Sequence, residues 1–210
     1  RLRKFVKYIG MGDYDFVYSQ QFCTNLYAVA ASFFCGVPCI GSIRNDVISE
    51  VRDRDLGLLG WFSLILPAQM VANSRLGIEN AKKYFRNPKG IHFLPNVVDT
   101  NVFFPGNQKD PTAPFKVITV GTVWKPKRMD RVIEIAAILN HRINRKVIFE
   151  IFGDGEQLDV MKKLAESKHL LNSTLFFRGR SSEIASEYRK ANALLLTSDH
   201  EGTPNVVLEA

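Results

Sequence analysis

The sequence predicts an α/β protein built as two successive domains, each around a parallel sheet. Short apolar runs alternate with longer amphipathic ones over residues 16–94, and again over 116–197. Alternation of that kind feeds parallel strands through helical crossovers. Between the two sets, residues 106–114 are polar and carry Gly106, Pro111 and Pro114, the strongest linker signature in the chain. A length of 210 residues with 46% hydrophobic content supplies apolar surface for one large or two small cores. The expected organisation is a first domain over 1–105, a linker over 106–114 and a second domain over 115–210.

The chain opens on a basic amphipathic helix over 1–9. Leu2, Phe5, Val6 and Ile9 share one face, and Arg1, Arg3, Lys4 and Lys7 the other. It reads as cover for a sheet, with contact to a membrane surface as the second reading. A strand over 16–19 follows, then an Ala-rich helix over 24–34 closed by Gly36, then a strand over 37–41. Residues 56–74 carry no charge and approach bilayer-spanning length, about 20 residues. Pro67, Gln69 and Asn73 interrupt the run, so it reads as a helix ending near Leu66 and a strand over 70–73. Ser74 is placed to cap a helix over 75–85, and 91–94 is one more strand.

In the second domain, strands are expected over 116–120, 146–152, 174–177 and 194–197, alternating with helices over 130–139, 157–167 and 183–190. The apolar run 193–197 reads as a buried strand of a parallel sheet. The turn Ser198-Asp199-His200 leads from it to a helix start, with Thr203 as cap and Pro204 at the first helical position.

Composition excludes several classes of function. The net charge of +7 is spread evenly, with 13 Lys+Arg against 9 Asp+Glu over 1–113 and 15 against 12 over 114–210. No basic arm or aromatic-studded basic stripe is present, so nucleic acid is not an expected partner. A phosphorylated substrate and an anionic membrane surface both suit the charge. Cys23, Cys35 and Cys39 are odd in number and lie among apolar residues, which reads as reduced core cysteines of a cytosolic protein. Cys35-x3-Cys39 has no nearby His and is not a zinc pattern. Asp13-x-Asp15 precedes its strand, and Asp53-x-Asp55 lies among Arg52 and Arg54 in a helical run, so neither reads as a metal site. Gly10-x-Gly12 and Gly153-x-Gly155 depart from the dinucleotide fingerprint at Asp15 and Leu158, and no nucleophile elbow occurs. The chain begins at Arg1 and stops at Ala210, six residues past Pro204, and reads as an internal fragment of a longer protein.

Ligands of open α/β sheets bind beyond the carboxyl ends of the strands. Four loops of the second domain fall on that edge: Gly121 to Asp130, Gly153-Asp-Gly155, Arg178-Gly-Arg180, and His200-Glu-Gly-Thr-Pro-Asn-Val-Val-Leu-Glu-Ala210. In the last, the backbone N–H groups after Thr203 form a seat for an anion. Glu201 precedes that seat, and Glu209 lies about 7.5 Å up the helix axis at roughly 1.5 Å per residue. Such a separation suits a phosphate with a hydroxyl-bearing ring on either side, as in a nucleotide sugar.

This Glu-x7-Glu stretch resembles the signature of the family 4 glycosyltransferases, whose GT-B fold consists of two Rossmann-like domains with parallel sheets. The resemblance is strong over 67–210 and weaker before. Gly121 to Asp130 is similar to the family loop in which Gly-Arg is followed by Lys-Gly. Lys127 falls on the lysine that grips the donor diphosphate, while Thr122 stands in place of the arginine and Arg128 in place of the glycine. Arg128 and Lys125 are the candidates to replace the missing cation. Gly153-Asp-Gly155, Gly179-Arg180 and Asn96-Val-Val-Asp99 with Phe103 and Pro105 resemble other family segments. The first-domain histidine often found in the family has no counterpart in Ser42-Ile-Arg-Asn-Asp46.

The resemblance implies Glu201 and Lys127 as catalytic residues, Glu201 beside the transferred sugar. It implies donor contacts from Thr122, Arg128, Gly153, Arg180, Gly202, Thr203, Pro204, Asn205 and Glu209, the last on the nucleotide ribose. The reaction implied moves a sugar from a nucleoside diphosphate sugar to a hydroxyl of a carbohydrate or glycolipid acceptor, with retention and with neither metal nor cofactor. The setting implied is cytoplasmic, at the inner face of the cell membrane. Two alternatives stay open: a nucleotide-sugar epimerase of the same architecture, and a non-catalytic nucleotide-sugar-binding module, favoured by Thr122 and the absent histidine.

Overall fold

The computed structural model describes residues 2–48, 57–84, 90–106 and 109–210. Asp53, Asp55 and Phe85 lie outside these residues, and the helix expected over 75–85 ends earlier, at Lys82. By contacts the chain divides into two units, residues 1–96 with 200–203, and residues 97–199 with 204–210. The division falls ahead of the 106–114 stretch, because residues 102–104 pack into the second unit. The Phe103 ring meets Tyr188 edge-on with centroids 6.0 Å apart, and the Arg189 guanidinium lies 4.5 Å over Phe104 while Nη1 donates to the Val102 carbonyl at 3.1 Å.

The first unit runs α1 (Leu2–Met11), β1 (Val17–Tyr18), α2 (Asn25–Cys35), β2 (Cys39–Ile43), α3 (Gly57–Ile65), β3 (Gln69–Ala72), α4 (Arg75–Lys82) and β4 (Ile91–Phe93). The strands form one parallel sheet in the order β1-β2-β3-β4, with Val17 opposite Cys39, Ile40 opposite Gln69 and Met70 opposite Ile91. Strand β2 starts two residues later than the sequence suggests. Val37 N–H closes α2 on the Ser32 carbonyl at 3.0 Å, and Pro38 has no N–H to give a ladder. Ser74 caps α4 as expected, accepting from Gly77 N–H at 3.1 Å. The core comprises Phe22, Ile43, Val47, Leu64, Met70, Ala72, Ala81 and Ile91. A polar side chain with three hydrogen bonds is built into it. Asn25, fully buried, donates to the Ser42 and Ser63 carbonyls at 3.0 and 3.3 Å and accepts from Ser42 N–H at 3.1 Å, tying α2 to β2 and α3.

The cysteines correct one expectation. All three are free but half-buried, at the margins of the packing, and burial pushes the Cys39 thiol pKa up. Among the described residues, no helix is long and apolar enough to cross a membrane.

The second unit runs β5 (Phe115–Val120), a 3-10 turn (Lys125–Lys127), α5 (Met129–Arg142), β6 (Val147–Phe152), α6 (Leu158–Ser167), β7 (Leu175–Gly179), α7 (Ile184–Lys190), β8 (Ala193–Leu194) and α8 (Asn205–Glu209). Its sheet is parallel in the order β7-β6-β5-β8. Side chains alternate across a strand, and both faces are covered. Val117, Phe149, Ile151 and Leu175 pack with Met129, Val132, Ile133 and Ala136 of α5 and Met161 and Ala165 of α6. On the other face Ile118 and Phe152 pack with Tyr188 and Ala191. Each fully buried aliphatic or aromatic side chain contributes about 1.5–3 kcal/mol.

Glu150 is a buried charge within that sheet. It is 4% exposed, held by Lys116 on β5 at 2.8 Å and by Arg178 on β7, whose Nε and Nη2 donate to one carboxylate oxygen at 2.8 and 2.6 Å. Burial pushes the Glu150 pKa up, but the two cations outweigh it and hold the group below its ordinary value.

The run 193–197 is also corrected. The strand ends at Leu194, and the residues are half-buried. Strand β8 is a sheet edge, paired over two residues with Val117 and Ile118. Beyond Leu195, whose N–H still reaches the Ile118 carbonyl at 2.8 Å, the chain turns its polar groups toward the Lys125–Lys127 turn.

Candidate nucleotide-sugar site

The carboxyl edge of the second sheet is laced by backbone hydrogen bonds between loops. Gly121 N–H donates to the Phe152 carbonyl at 2.9 Å, Val123 N–H to Asp154 at 3.0 Å, and Gly153 N–H to Gly179 at 2.8 Å. The approach is too close for a side chain. A Cβ on Gly153 would overlap the Gly121 carbonyl oxygen, and φ of 143° is glycine territory as well. The three glycine loops expected from the sequence on this edge are thus brought side by side.

Lys127 sits in this corner. It ends the 3-10 turn that Pro126 helps set, its N–H donates to the Trp124 carbonyl at 3.1 Å, and it is half-buried. Its Cε stands 3.8 Å from where a Gly121 Cβ would be, an ordinary contact distance, so the lysine stem runs beside Gly121. Thr122 and Arg180 are exposed, each directly after a glycine of the edge.

Arg128 has a left-handed backbone, φ 51° and ψ 49°. For a residue with a side chain this costs roughly 1–2 kcal/mol. Its guanidinium is turned onto carboxylates: Nε and Nη2 donate to Asp130 at 3.0 and 2.8 Å, and Nη1 to Asp199 at 3.0 Å. Hydrogen bonding to Asp130 is the main reason the guanidinium pKa is raised and the Asp130 pKa lowered. Arg131 completes the cluster, with Nη2 at 2.8 Å from Asp199 and Nη1 donating to the Thr197 carbonyl at 3.0 Å. Asp199, Asp130, Arg131 and Thr197 were not singled out from sequence. The signal available was the Arg-x-Asp-Arg spacing over 128–131.

The Glu-x7-Glu stretch divides by its contacts, with 200–203 counted in the first unit and 204–210 in the second. Thr203 does not cap the helix. Its hydroxyl donates to the Asn73 carbonyl at 2.6 Å, and Asn96 Nδ2 donates to the Thr203 carbonyl at 2.7 Å. Pro204, with extended φ and ψ of −72° and 124°, takes the cap position instead, and the helix starts at Asn205, one residue later than expected. Gly202 backs onto Arg44, whose carbonyl oxygen a Cβ would overlap. Glu201 and His200 are half-buried and Asn205 is exposed. Glu209 accepts from the Tyr188 hydroxyl at 3.2 Å. Burial first, and then Glu209, push the Tyr188 phenol pKa well above its usual value. Among the described residues, no group of three or more His, Cys, Asp or Glu could hold a metal ion.

Two parallel α/β units, with glycine loops and a lysine at the carboxyl edge of the second, define a GT-B architecture. Residues 102–210 match the family model of the glycosyl transferases group 1, and the chain belongs to that family. A curated relative, the UDP-Gal:alpha-D-GlcNAc-diphosphoundecaprenol alpha-1,3-galactosyltransferase of Escherichia coli, is 26% identical over 213 residues, covering 94% of this chain and 55% of the relative. The chain therefore spans about half the length of that relative. Among solved structures, S. aureus TarM in a complex that includes UDP superposes with a TM-score of 0.81 at 18% identity, over 100% of this chain and 42% of that one. Anabaena HepE with UDP and glucose gives a TM-score of 0.81 at 16% identity, over 100% of this chain and 59% of that one.

Proposed function

We propose that the protein is the working part of a glycosyltransferase that moves a sugar from a UDP-sugar to a hydroxyl of a glycolipid or carbohydrate acceptor, with retention and without a metal or cofactor. The observation that carries the reading is the laced glycine edge with the Lys127 stem running beside Gly121. An open backbone and a lysine suit a diphosphate, whose leaving is assisted by fixed positive charge. The E. coli relative uses UDP-Gal, and TarM and HepE hold UDP, which favours uracil as the base. The diphosphoundecaprenol acceptor of the relative favours a lipid-linked acceptor and work at the inner face of the cell membrane.

In this reading Lys127 neutralises the diphosphate, and the exposed Thr122 and Arg180 flank the nucleotide. Gly153, Gly202, Pro204 and Asn205 supply backbone or close approach to the donor, and Thr203 fixes its own loop through Asn73. Glu209 holds ribose hydroxyls, and Glu201 orients the sugar as charge develops on it. An anionic membrane is the further partner. On α1 the exposed Arg3, Lys4 and Lys7 adjoin the exposed Tyr8 and Met11, and α3 exposes Leu58, Leu59 and Phe62.

Calorimetry of the full-length protein with UDP-galactose and UDP-glucose, with and without EDTA, tests the reading. Donor binding that survives EDTA is expected; binding that vanishes with EDTA and returns with manganese would overturn metal independence. Glu209→Gln should raise donor KM more than it lowers kcat, and Glu201→Gln the reverse, because only Glu201 faces charge that appears in the transition state. If both variants lose binding equally and keep kcat, the role given to Glu201 is wrong.

A further inference from the structure

The chain carries an arginine with a left-handed backbone, φ 51°, in its lysine loop, and that side chain is fastened to the far end of the unit's sequence. Arg128 joins Asp130 through two nitrogens and Asp199 through a third. Asp199 in turn takes Arg131 at 2.8 Å, and its own N–H donates to the Pro126 carbonyl at 2.9 Å. The Thr197 hydroxyl is shared between the carbonyls of Lys127 and Arg128, at 3.1 and 3.0 Å. Two segments 70 residues apart are thereby stitched together by backbone, hydroxyl and guanidinium contacts. One is the turn that bears Lys127. The other is the stretch that runs into Glu201.

We propose that Arg128 is a positioning residue for the donor: its bridge to Asp199 fixes the Lys127 turn against the approach to the Glu-x7-Glu stretch. The inference rests on the UDP-sugar reading above. It gives Arg128 a role different from that of a replacement phosphate cation. Three of the five N–H groups of a guanidinium are directed at carboxylates. The local charge is balanced as well, with Arg128 and Arg131 facing Asp130 and Asp199, so the cluster adds little field at an anion. What the bridge supplies is geometry. A glycine at 128 would suit φ of 51° without strain but would remove the guanidinium bridge from the set of contacts, with the Thr197 hydroxyl, Arg131 and the Asp199 amide, that joins the turn to residues 197–199. Arginine accepts a strained backbone and gains a planar fork that reaches two carboxylates at once.

The test uses the full-length protein and four variants, Arg128→Gly, Arg128→Lys, Asp199→Asn and the double Arg128→Gly/Asp199→Asn. Donor KM, kcat, UDP affinity by calorimetry and Tm are measured for each. Arg128→Gly is expected to fold, since glycine takes the left-handed conformation, and to weaken UDP binding and raise donor KM about tenfold. Asp199→Asn should do the same, and the double variant should be no worse than either single one, because all three remove one bridge. Arg128→Lys should fail to rescue, because a lysine cannot fork between two carboxylates. Rescue by lysine would mean that the charge itself contacts the donor and would overturn the proposal, as would additive losses in the double variant or a wild-type KM in Arg128→Gly. Wild-type protein that binds no UDP overturns the UDP-sugar reading and this proposal together. Wild-type binding with variants unaffected overturns this proposal alone.

Discussion

The two units are built on the same plan, four parallel strands with helical crossovers, yet they put their polar and apolar groups to opposite uses. The second unit closes its hydrophobic surface on both sheet faces and gathers the left-handed backbone of Gly121, Arg128, Gly153 and Gly179 at the carboxyl edge of its sheet, with His169 and Asn172 left-handed in the turn before β7. The first unit keeps its edge quieter and leaves large side chains on its helices in the open. Phe33 is 83% exposed and Leu58 76%, with Tyr8, Met11, Phe34 and Phe62 also exposed. Trp61 packs edge-on against Tyr84 with centroids 4.9 Å apart, directly after Lys82 and Lys83. Strain at an edge belongs with positioned chemistry, and apolar patches on a surface belong with contacts. The contrast fits the proposal that places chemistry in the second unit and docking in the first.

The largest expected effect breaks the chemical side of that comparison. Lys127→Ala should lower kcat/KM by about two to three orders of magnitude, the usual loss for one preorganised electrostatic contact, while leaving Tm within a degree or two. Steady-state kinetics with a UDP-sugar and a thermal melt check it; a fall in Tm that accounts for the lost activity would make Lys127 a structural residue.

Next is the edge itself. Gly153→Ala should cost about 1–3 kcal/mol, because φ is disallowed and the new methyl meets the Gly121 carbonyl. Denaturant unfolding should show a lower midpoint with unchanged slope. A near wild-type midpoint would mean that the loops can part and that the lacing does not define the site.

Glu150 sharpens the contrast between a charge network that holds the fold and one that positions a ligand. Its folded pKa lies below the ordinary value of 4.5, so its contribution is complete above about pH 4.5 and is lost as pH falls through the depressed folded value. Glu150→Gln should be less stable than wild type at pH 7, by about 1.5–3 kcal/mol for a lost charge-assisted contact, and the gap should shrink on acidification. Donor KM should change little. A gap independent of pH between 7 and 3 would remove the ionic account.

The smallest effect concerns docking. Flotation of the full-length protein with vesicles should depend on anionic lipid, weaken with salt, and fall a few-fold in Trp61→Ser/Phe62→Ser. Equal flotation on neutral and anionic vesicles would count against a membrane role for the first unit.

Most of the fold was legible because it depends on local pattern. Apolar alternation located every strand but β8 to within about two residues, and Ser74 was visible as a cap because a cap bonds only three residues away. The misplaced features share a cause. Thr203 has the side chain of a cap, yet its hydroxyl is taken by Asn73, 130 residues earlier. The run 193–197 has the composition of a buried strand, yet β8 lies at a sheet edge, where only two residues pair. Of the candidate site, Lys127, the glycines and the two glutamates are proposed from spacing and resemblance.

By itself, then, the sequence determined the two-sheet α/β plan, the loops that reach the carboxyl edge and the residue types offered there, since each follows from periodicity or from neighbours within a helical turn. Only the tertiary structure decided which of those groups meet. Arg128 finds Asp199 across 71 residues, Glu150 is flanked by Lys116 and Arg178 from two neighbouring strands, and Gly153 presses on Gly121. Such pairings depend on strand order and on contacts between distant segments, which no local run of residues encodes.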